Sequence, residues 1–385
     1  MLLDSETEAE GFIVHPATLS FRLAWTARAN TNLDVLIREG SSQLSVRIGF
    51  IGTGGIATPH LINLQRIDDA EVVGLCDVSI DRCEAAARRV NGALNALSRP
   101  DGPPVSELSA EMFTSAGDMI ASVNPDAVYI AVPPFVHGDL ERAVIDAGKH
   151  IFVEKPVALT MELAREIESR ILDAGIISAV GYQSRCSDAV LKAKKALEGR
   201  EIGLLQGTYY GSLPQVAWWR VQEQSGGQVV EQATHTVDLM RFLGGEISTV
   251  YAAGATRILT EVENLDVYDV NAVTLTFESG AVGALLTTCA LDGWGGPNWF
   301  HGVTVFASGL SLSAWLDQVT IRTSESEEVV GAQTDAMFET DKSFVAAVMS
   351  GDGSMVGSDY SNGVRTLEVT LAAVESARSG QPVEL

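Results

Sequence analysis

Val46-Arg-Ile-Gly-Phe-Ile-Gly-Thr-Gly-Gly-Ile-Ala57 is the stretch whose reading decides the fold. Its first six residues form a short apolar run that reads as a buried strand. The glycines behind them open a helix expected over residues 55–66. Gly52 permits a tight turn, Gly54 lets backbone approach a pyrophosphate, and Ala57 allows close packing of helix on strand. The turn through Thr53, Gly54, Gly55 and Ile56 brings the free N–H groups and positive dipole end of that helix to bear on phosphates. A purely structural βα turn is the competing reading. Against it, Asp77 ends the second expected strand (71–76), 77 − 57 = 20 positions past Ala57. An acid there accepts hydrogen bonds from ribose hydroxyls and repels a 2′-phosphate. NAD is therefore favoured over NADP, with the nearby Arg82 pulling the other way.

Strand and helix alternate outward from this stretch, as a parallel α/β sheet requires. A helix is expected near 81–90, followed by a loop insertion over 91–108 that carries Pro100, Gly102, Pro103 and Pro104. Strands follow at 126–132, stopped by Pro133-Pro134, at 150–153, and at 177–182, with a helix at 161–174 before the last. These assign residues 46–186 to a Rossmann domain. Beyond Ser187 a helix at 188–197 leads into β-rich runs at 204–210, 270–277, 281–288 and 302–306, clustered without intervening helices. That texture points to an α+β domain over 187–385, built on a large open, mostly antiparallel sheet and closed by a helix at 359–379. Residues 1–45 show no clean periodicity and form an N-terminal extension without an assigned role. Two domains suit a length of 385 residues.

Composition narrows the partners. There are 26 Lys+Arg against 50 Asp+Glu, a net charge of −24 that repels phosphate backbones and disfavours nucleic acid. No apolar run reaches the ~20 residues of a membrane span, and the acidic N-terminus does not read as a signal peptide. A cytoplasmic location is the default expectation. Cys76, Cys83, Cys186 and Cys289 contain no Cys-x-x-Cys pair and read as reduced thiols.

Glu154-Lys155-Pro156 ends a parallel strand on the sheet edge where open α/β folds bind ligands. A lysine there is either an exposed cation or a group that manages the proton of a substrate hydroxyl. Gly52-x-Gly54-x-x-Ala57, Val132-Pro133-Pro134-x-x-His137, Glu154-Lys155-Pro156 and Gly181-Tyr-Gln183-x-Arg185 together resemble the glucose–fructose oxidoreductase/inositol dehydrogenase/MocA family. The resemblance runs from about Val46 to the C-terminus. It implies a Rossmann domain followed by an α/β domain on a large open sheet, with Lys155 in the active site near the nicotinamide. It also implies that Val132, Pro133, Pro134 and His137 line the nicotinamide side, that Glu154 belongs to the cofactor site, and that Gln183 and Arg185 reach the same cleft. A homodimer or homotetramer is a further implication.

Residues 226–240 read as a helix entered through Gly226-Gly227. Glu231, His235 and Asp238, spaced i, i+4 and i+7, fall on one face of it. A histidine poised by a carboxylate one turn away is a proton acceptor near neutral pH, and equally a surface ion-pair partner. The family pattern has Asp-x-Gly-x-His here, with histidine as the acid/base, whereas this chain has Glu231-Gln-Ala233-Thr-His235. A metal site is disfavoured, because no further His or Cys joins the set. Trp218-Trp219-Arg220 precede this helix; adjacent aromatics in a loop either stack on a sugar ring, with arginine on its hydroxyls, or are buried at an interface. Trp294 and Trp299 are weaker candidates of the same kind.

The expectation is a nicotinamide-dependent oxidoreductase acting on a secondary alcohol of a sugar, cyclitol or related polyol. Lys155 and His235 manage the hydroxyl proton and Glu231 orients His235. Two other classes compete: an enzyme that recycles a tightly held NAD on glycosides or sugar pairs, and a non-catalytic NAD sensor.

Overall fold

The computed structural model describes residues 45–97, 106–291, 300–315 and 317–385. The N-terminal extension to residue 44, the prolines at 100, 103 and 104, and Trp294 and Trp299 lie outside the described residues.

The first sheet contains β1 (Val46–Ile51), β2 (Ala70–Cys76), β3 (Glu111–Phe113), β4 (Ala127–Ile130), β5 (His150–Val153) and β6 (Ser178–Val180). They pair in parallel in the order β3-β2-β1-β4-β5-β6. Helices α1 (Ala57–Leu64), α2 (Ile80–Leu97), α3 (Ala116–Val123), α4 (Asp139–Asp146) and α5 (Met161–Ala174) connect them. The order reverses between β2 and β4 on either side of β1, so the crevice at the carboxyl end of β1 is the ligand position of a doubly wound sheet. The strands are apolar on both faces, with Ile48, Phe50, Tyr129 and Phe152 fully buried, as a covered parallel sheet demands. The expected loop over 91–108 is corrected at its start, because α2 continues to Leu97. Leu94 follows Val90 by one turn and is 2% exposed, so the helix is prolonged by its apolar stripe.

The second sheet follows α6 (Asp188–Leu197). It contains β7 (Ile202–Tyr210), β8 (Ile247–Ala255), β9 (Val270–Phe277), β10 (Val282–Thr288), β11 (Phe300–Ala307), β12 (Leu310–Trp315), β13 (Gln318–Arg322), β14 (Glu327–Gly331) and β15 (Val383–Glu384). Their order is β14-β13-β12-β11-β7-β10-β9-β8-β15, antiparallel except for β7 with β10. Between β7 and β8 run α7 (Gln222–Ser225), α8 (Gln228–Glu231) and α9 (Thr234–Gly244); α10 (Ala336–Ser350) and α11 (Tyr360–Ser379) come after β14. One face of the sheet is buried under α6, α9 and α11 through Leu205, Leu285, Val303, Val305, Met240 and Leu243. The opposite face, from β8 to β12, carries Thr, Ser, Ala and Gln at the register positions between exposed Leu204, Tyr251, Val282, Leu286, Phe306 and Trp315, and no charged side chain. Helix α10 returns to the first sheet, where Phe344, Val345 and Ala347 pack with Leu61, Tyr129 and Phe152.

Candidate functional site

Gly52 has φ 86°, and a methyl group there would overlap the Ala131 carbonyl, so only glycine makes this turn. Nothing lies within 4 Å of where a side chain would stand at Gly54 or Gly55, which leaves backbone open to a ligand at the start of α1. Ala57 is fully buried against the sheet. Thr53 is tied to the end of β2: its N–H and its hydroxyl each donate to Asp77 Oδ2 at 2.8 Å. Asp77 Oδ1 accepts from the Val78 N–H at 2.8 Å and from Arg82 at 3.5 Å. Burial pushes the Asp77 carboxyl up, but these donors outweigh it and hold the group below its ordinary value, so it is an anion. Sequence reasoning missed Arg89, which donates to the Thr53 carbonyl at 3.0 Å. This arrangement fits the pyrophosphate and ribose of a dinucleotide.

Beyond β4 the chain turns at Val132-Pro133-Pro134 into His137. The His137 side chain is 1% exposed; Nδ1 donates to Glu141 at 2.5 Å, while Nε2 is buried with no partner among the described residues. Glu141 also accepts from the Gly138 N–H at 2.6 Å. A rigidly held imidazole with one bare ring nitrogen, beside the β1–β4 crevice, is a ready contact for a bound ring or amide.

Lys155 lies in the turn after β5, joined to Pro156 by a cis peptide. Its Nζ donates to the Glu231 carboxylate and to the Glu231 carbonyl, both at 2.9 Å. Burial would lower the Lys155 pKa; Glu231 and then Glu154 more than offset it and raise it, so the group is an ammonium. Two of its three donors are used, which leaves one for a substrate oxygen. His235 sits in the same cluster. Burial first, then the Lys155 ammonium and His301, hold its imidazole well below 6.5 and therefore neutral. The Tyr182 ring packs edge-on against it at 6.0 Å, and the Tyr182 hydroxyl pairs with Thr234 Oγ1 at 2.7 Å. Tyr209 and His301, on facing strands, stack at 5.4 Å on the same side of the sheet as α9. Neither was flagged by sequence, because a period-two strand pattern does not distinguish a core aromatic from one that lines a cleft.

Four expectations need correction. The helix over 226–240 is two helices, α8 and α9, broken at Gln232 and Ala233. Glu231 ends the first and turns to Lys155, so it does not orient His235. Asp238 faces away from His235 and takes two hydrogen bonds from Arg185 Nε and one from Nη2, at 2.8–3.1 Å. Arg185 is consequently buried in an ion pair rather than reaching the cleft; each charge needs the other once both leave water. With Glu231 and Asp238 engaged elsewhere, the single face expected for Glu231, His235 and Asp238 does not form. Trp219 is 1% exposed and donates from Nε1 to Glu231 Oε2 at 2.7 Å, so it is a buried support and not an open stacking surface. Trp218 is partly exposed near Phe135. Gln183 lies in a short turn at 183–186, and Arg220 has a buried Nε without a partner among the described residues.

Residues 46–182 match a family model described as an oxidoreductase family with an NAD-binding Rossmann fold, and residues 190–302 match the GFO/IDH/MocA C-terminal domain. The chain is 27% identical over 356 residues to myo-inositol 2-dehydrogenase of Thermotoga maritima, an alignment covering 88% of this chain and 98% of that one. The crystal structure of the WlbA dehydrogenase from Bordetella pertussis, in complex with NADH and UDP-GlcNAcA, superposes with a TM-score of 0.71 at 25% identity, over 89% of this chain and 99% of that one. Levoglucosan dehydrogenase in complex with NADH and levoglucosan gives a TM-score of 0.74 at 21% identity, over 88% and 99%, a likeness of fold. No helix among the described residues is long and apolar enough to cross a membrane.

Proposed function

Because this chain belongs to the GFO/IDH/MocA family of oxidoreductases, we propose that it oxidises a secondary alcohol of a sugar, cyclitol or related polyol, reversibly and with NAD. The observation that carries this reading is the Lys155 ammonium, fixed by Glu231, in one cluster with a neutral His235. His235 accepts the proton of the reacting hydroxyl, and the remaining N–H of Lys155 stabilises the charge that develops on oxygen. Glu231 positions Lys155, and Trp219 positions Glu231. The turn from Gly52 to Ala57 and Asp77 would hold the pyrophosphate and ribose of NAD, and the Val132–His137 turn would line its nicotinamide, which when bound would supply the hydride acceptor. The ionised Asp77 supports NAD over NADP.

The same reading divides the molecule into a cofactor domain (46–186) and a substrate domain (187–385), with α10 reaching back to the first. It takes the uncharged outer face of the second sheet as the surface of a homodimer or homotetramer, since a chain of net charge −24 that keeps one broad face free of charge favours an apolar partner there. A cytoplasmic location belongs with it, supported by free Cys76, Cys83 and Cys289 inside the core.

The test is a redox screen of sugars, inositols and sugar acids with NAD and NADP separately, following absorbance of the reduced nicotinamide. A substrate-dependent signal, stronger with NAD, is expected. No signal anywhere in the panel, with no NAD binding by calorimetry, overturns the proposal. No signal with NAD retained through purification moves the assignment to an enzyme that recycles its cofactor.

A further inference from the structure

The Glu154-Lys155 turn is held from behind by a buried charged line that the chemistry above does not use. His60, on the second turn of α1, is 1% exposed, and its Nε2 donates to Glu154 Oε1 at 3.0 Å. Its Nδ1 donates to Asp341 Oδ1 at 2.6 Å. Asp341, on α10, is fully buried and also accepts from Asn63 Nδ2 at 2.9 Å and the Tyr129 hydroxyl at 3.3 Å. The other oxygen of Glu154 accepts the Lys155 backbone N–H at 3.2 Å. Phe50, Tyr129 and Phe152 surround the imidazole with apolar rings, the nearest centroid at 5.1 Å. The space for the Glu154 carboxylate exists because residue 181 is glycine: a methyl group there would overlap Oε1 and the carboxyl carbon.

A buried ion line of this kind is seldom a gain in stability over a packed apolar one, so what it fixes in space matters more than its energy. Its members come from α1, which begins at the glycine turn, from the turn after β5, which carries Lys155, and from α10. The charges alternate from Asp341 through His60, Glu154 and Lys155 to Glu231. We propose that His60 and Asp341 are positioning residues for Lys155: they clamp Glu154, and through it set the Lys155 backbone so that the ammonium meets Glu231 and the substrate. They touch no substrate themselves. The clamp also bolts the helix behind the cofactor turn to the lysine turn, so the two reactants share one rigid frame.

This rests on the reading of Lys155 as the group facing the reacting oxygen, but its test needs no substrate. The accessibility of the Lys155 amine is measured by trace labelling with acetic anhydride at fixed pH, read by mass spectrometry against exposed Lys195 of the same chain. The variants are H60N, D341N and G181A, each checked for folding by circular dichroism and melting. Removing the His60 cation leaves Glu154 uncompensated, which by charge alone holds the Lys155 ammonium more firmly and lowers labelling. Displacement of the turn does the opposite. Labelling of Lys155 is expected to rise by up to about tenfold in H60N, the effect of one unit in amine pKa, and by less in D341N. G181A, which moves Glu154 without altering any charge, is expected to rise as well. Should H60N not fold, D341N and G181A carry the test. Labelling that stays level or falls in variants that fold, even with a lower melting temperature, overturns the proposal and leaves the line a structural one. With a substrate in hand, kcat falls while KM for NAD changes by less than about twofold, because the glycine turn itself is untouched.

Discussion

Two histidines in this chain, His60 and His235, both lose solvation in the fold and yet differ in charge, the first a cation and the second neutral. His60 lies between two carboxylates, and although burial alone would depress its pKa, Asp341 and Glu154 raise it to about 10. His235 has burial and two cationic or potentially cationic neighbours, Lys155 and His301, and is driven well below 6.5. The reason is where Glu231 goes. Had it faced His235, that imidazole would have gained a carboxylate and a proton; facing Lys155, it leaves His235 neutral and fit to receive one. Desolvation depresses both imidazoles, so the neighbours decide which is a clamp and which is a base.

The largest expected effect tests the chemical half of that contrast. H235A and K155A should each lower kcat/KM on a substrate from the redox screen by about 10³-fold, within the range for a positioned acid or base. The acid limb of the wild-type pH profile should lie below 6.5, because His235 gains its proton only there. Near-wild-type turnover in either variant breaks the comparison, since His235 would then be no more of a base than His60.

The structural half appears in the pH dependence of stability. The folded pKa of His60 is raised to about 10 from 6.5, so its contribution is complete below pH 6.5 and is lost as pH rises through 10. Between those limits stability should fall by about 1.4 kcal/mol per pH unit, the cost of one proton bound only in the folded state. Urea melts at pH 7, 8 and 9 measure this slope. D341N, which removes the carboxylate on Nδ1, should flatten it; an equal slope in D341N would show that some other group is responsible.

What the sequence made legible follows the same division. The glycine turn could be read because each residue answers to a local rule, and Asp77 stands where a strand of known length ends. Lys155 and His235 were legible as residue types in ordered motifs. Their partners were not, because pairing across 76 residues (Lys155 to Glu231) or 281 (His60 to Asp341) has no local signature. Helical spacing misled for Glu231, since the periodicity argument assumes one continuous helix and the chain breaks at Gln232 and Ala233. Arg185 misled for a related reason: an arginine in a cleft motif looks like a substrate contact until Asp238, on α9, claims it.

The smallest expected effect sharpens the point that Glu231 serves Lys155. Trp219 donates its Nε1–H to Glu231 Oε2, and phenylalanine keeps the buried ring while removing that donor. A hydrogen bond to a charged group is worth about 1.5–3 kcal/mol, but the Glu231 side chain is 15% exposed and water can replace part of the loss. W219F should therefore lower kcat by about 3- to 10-fold with KM for the sugar nearly unchanged. A tryptophan that stacked on substrate would show the reverse, with KM rising and kcat held. Trp218, partly exposed beside Phe135, is the residue where that reverse pattern belongs, so W218A measured alongside W219F separates a support of the catalytic cluster from a surface for the sugar. A rise in KM in W219F would place the indole against the substrate, and the chain from Trp219 through Glu231 to Lys155 would lose its first link.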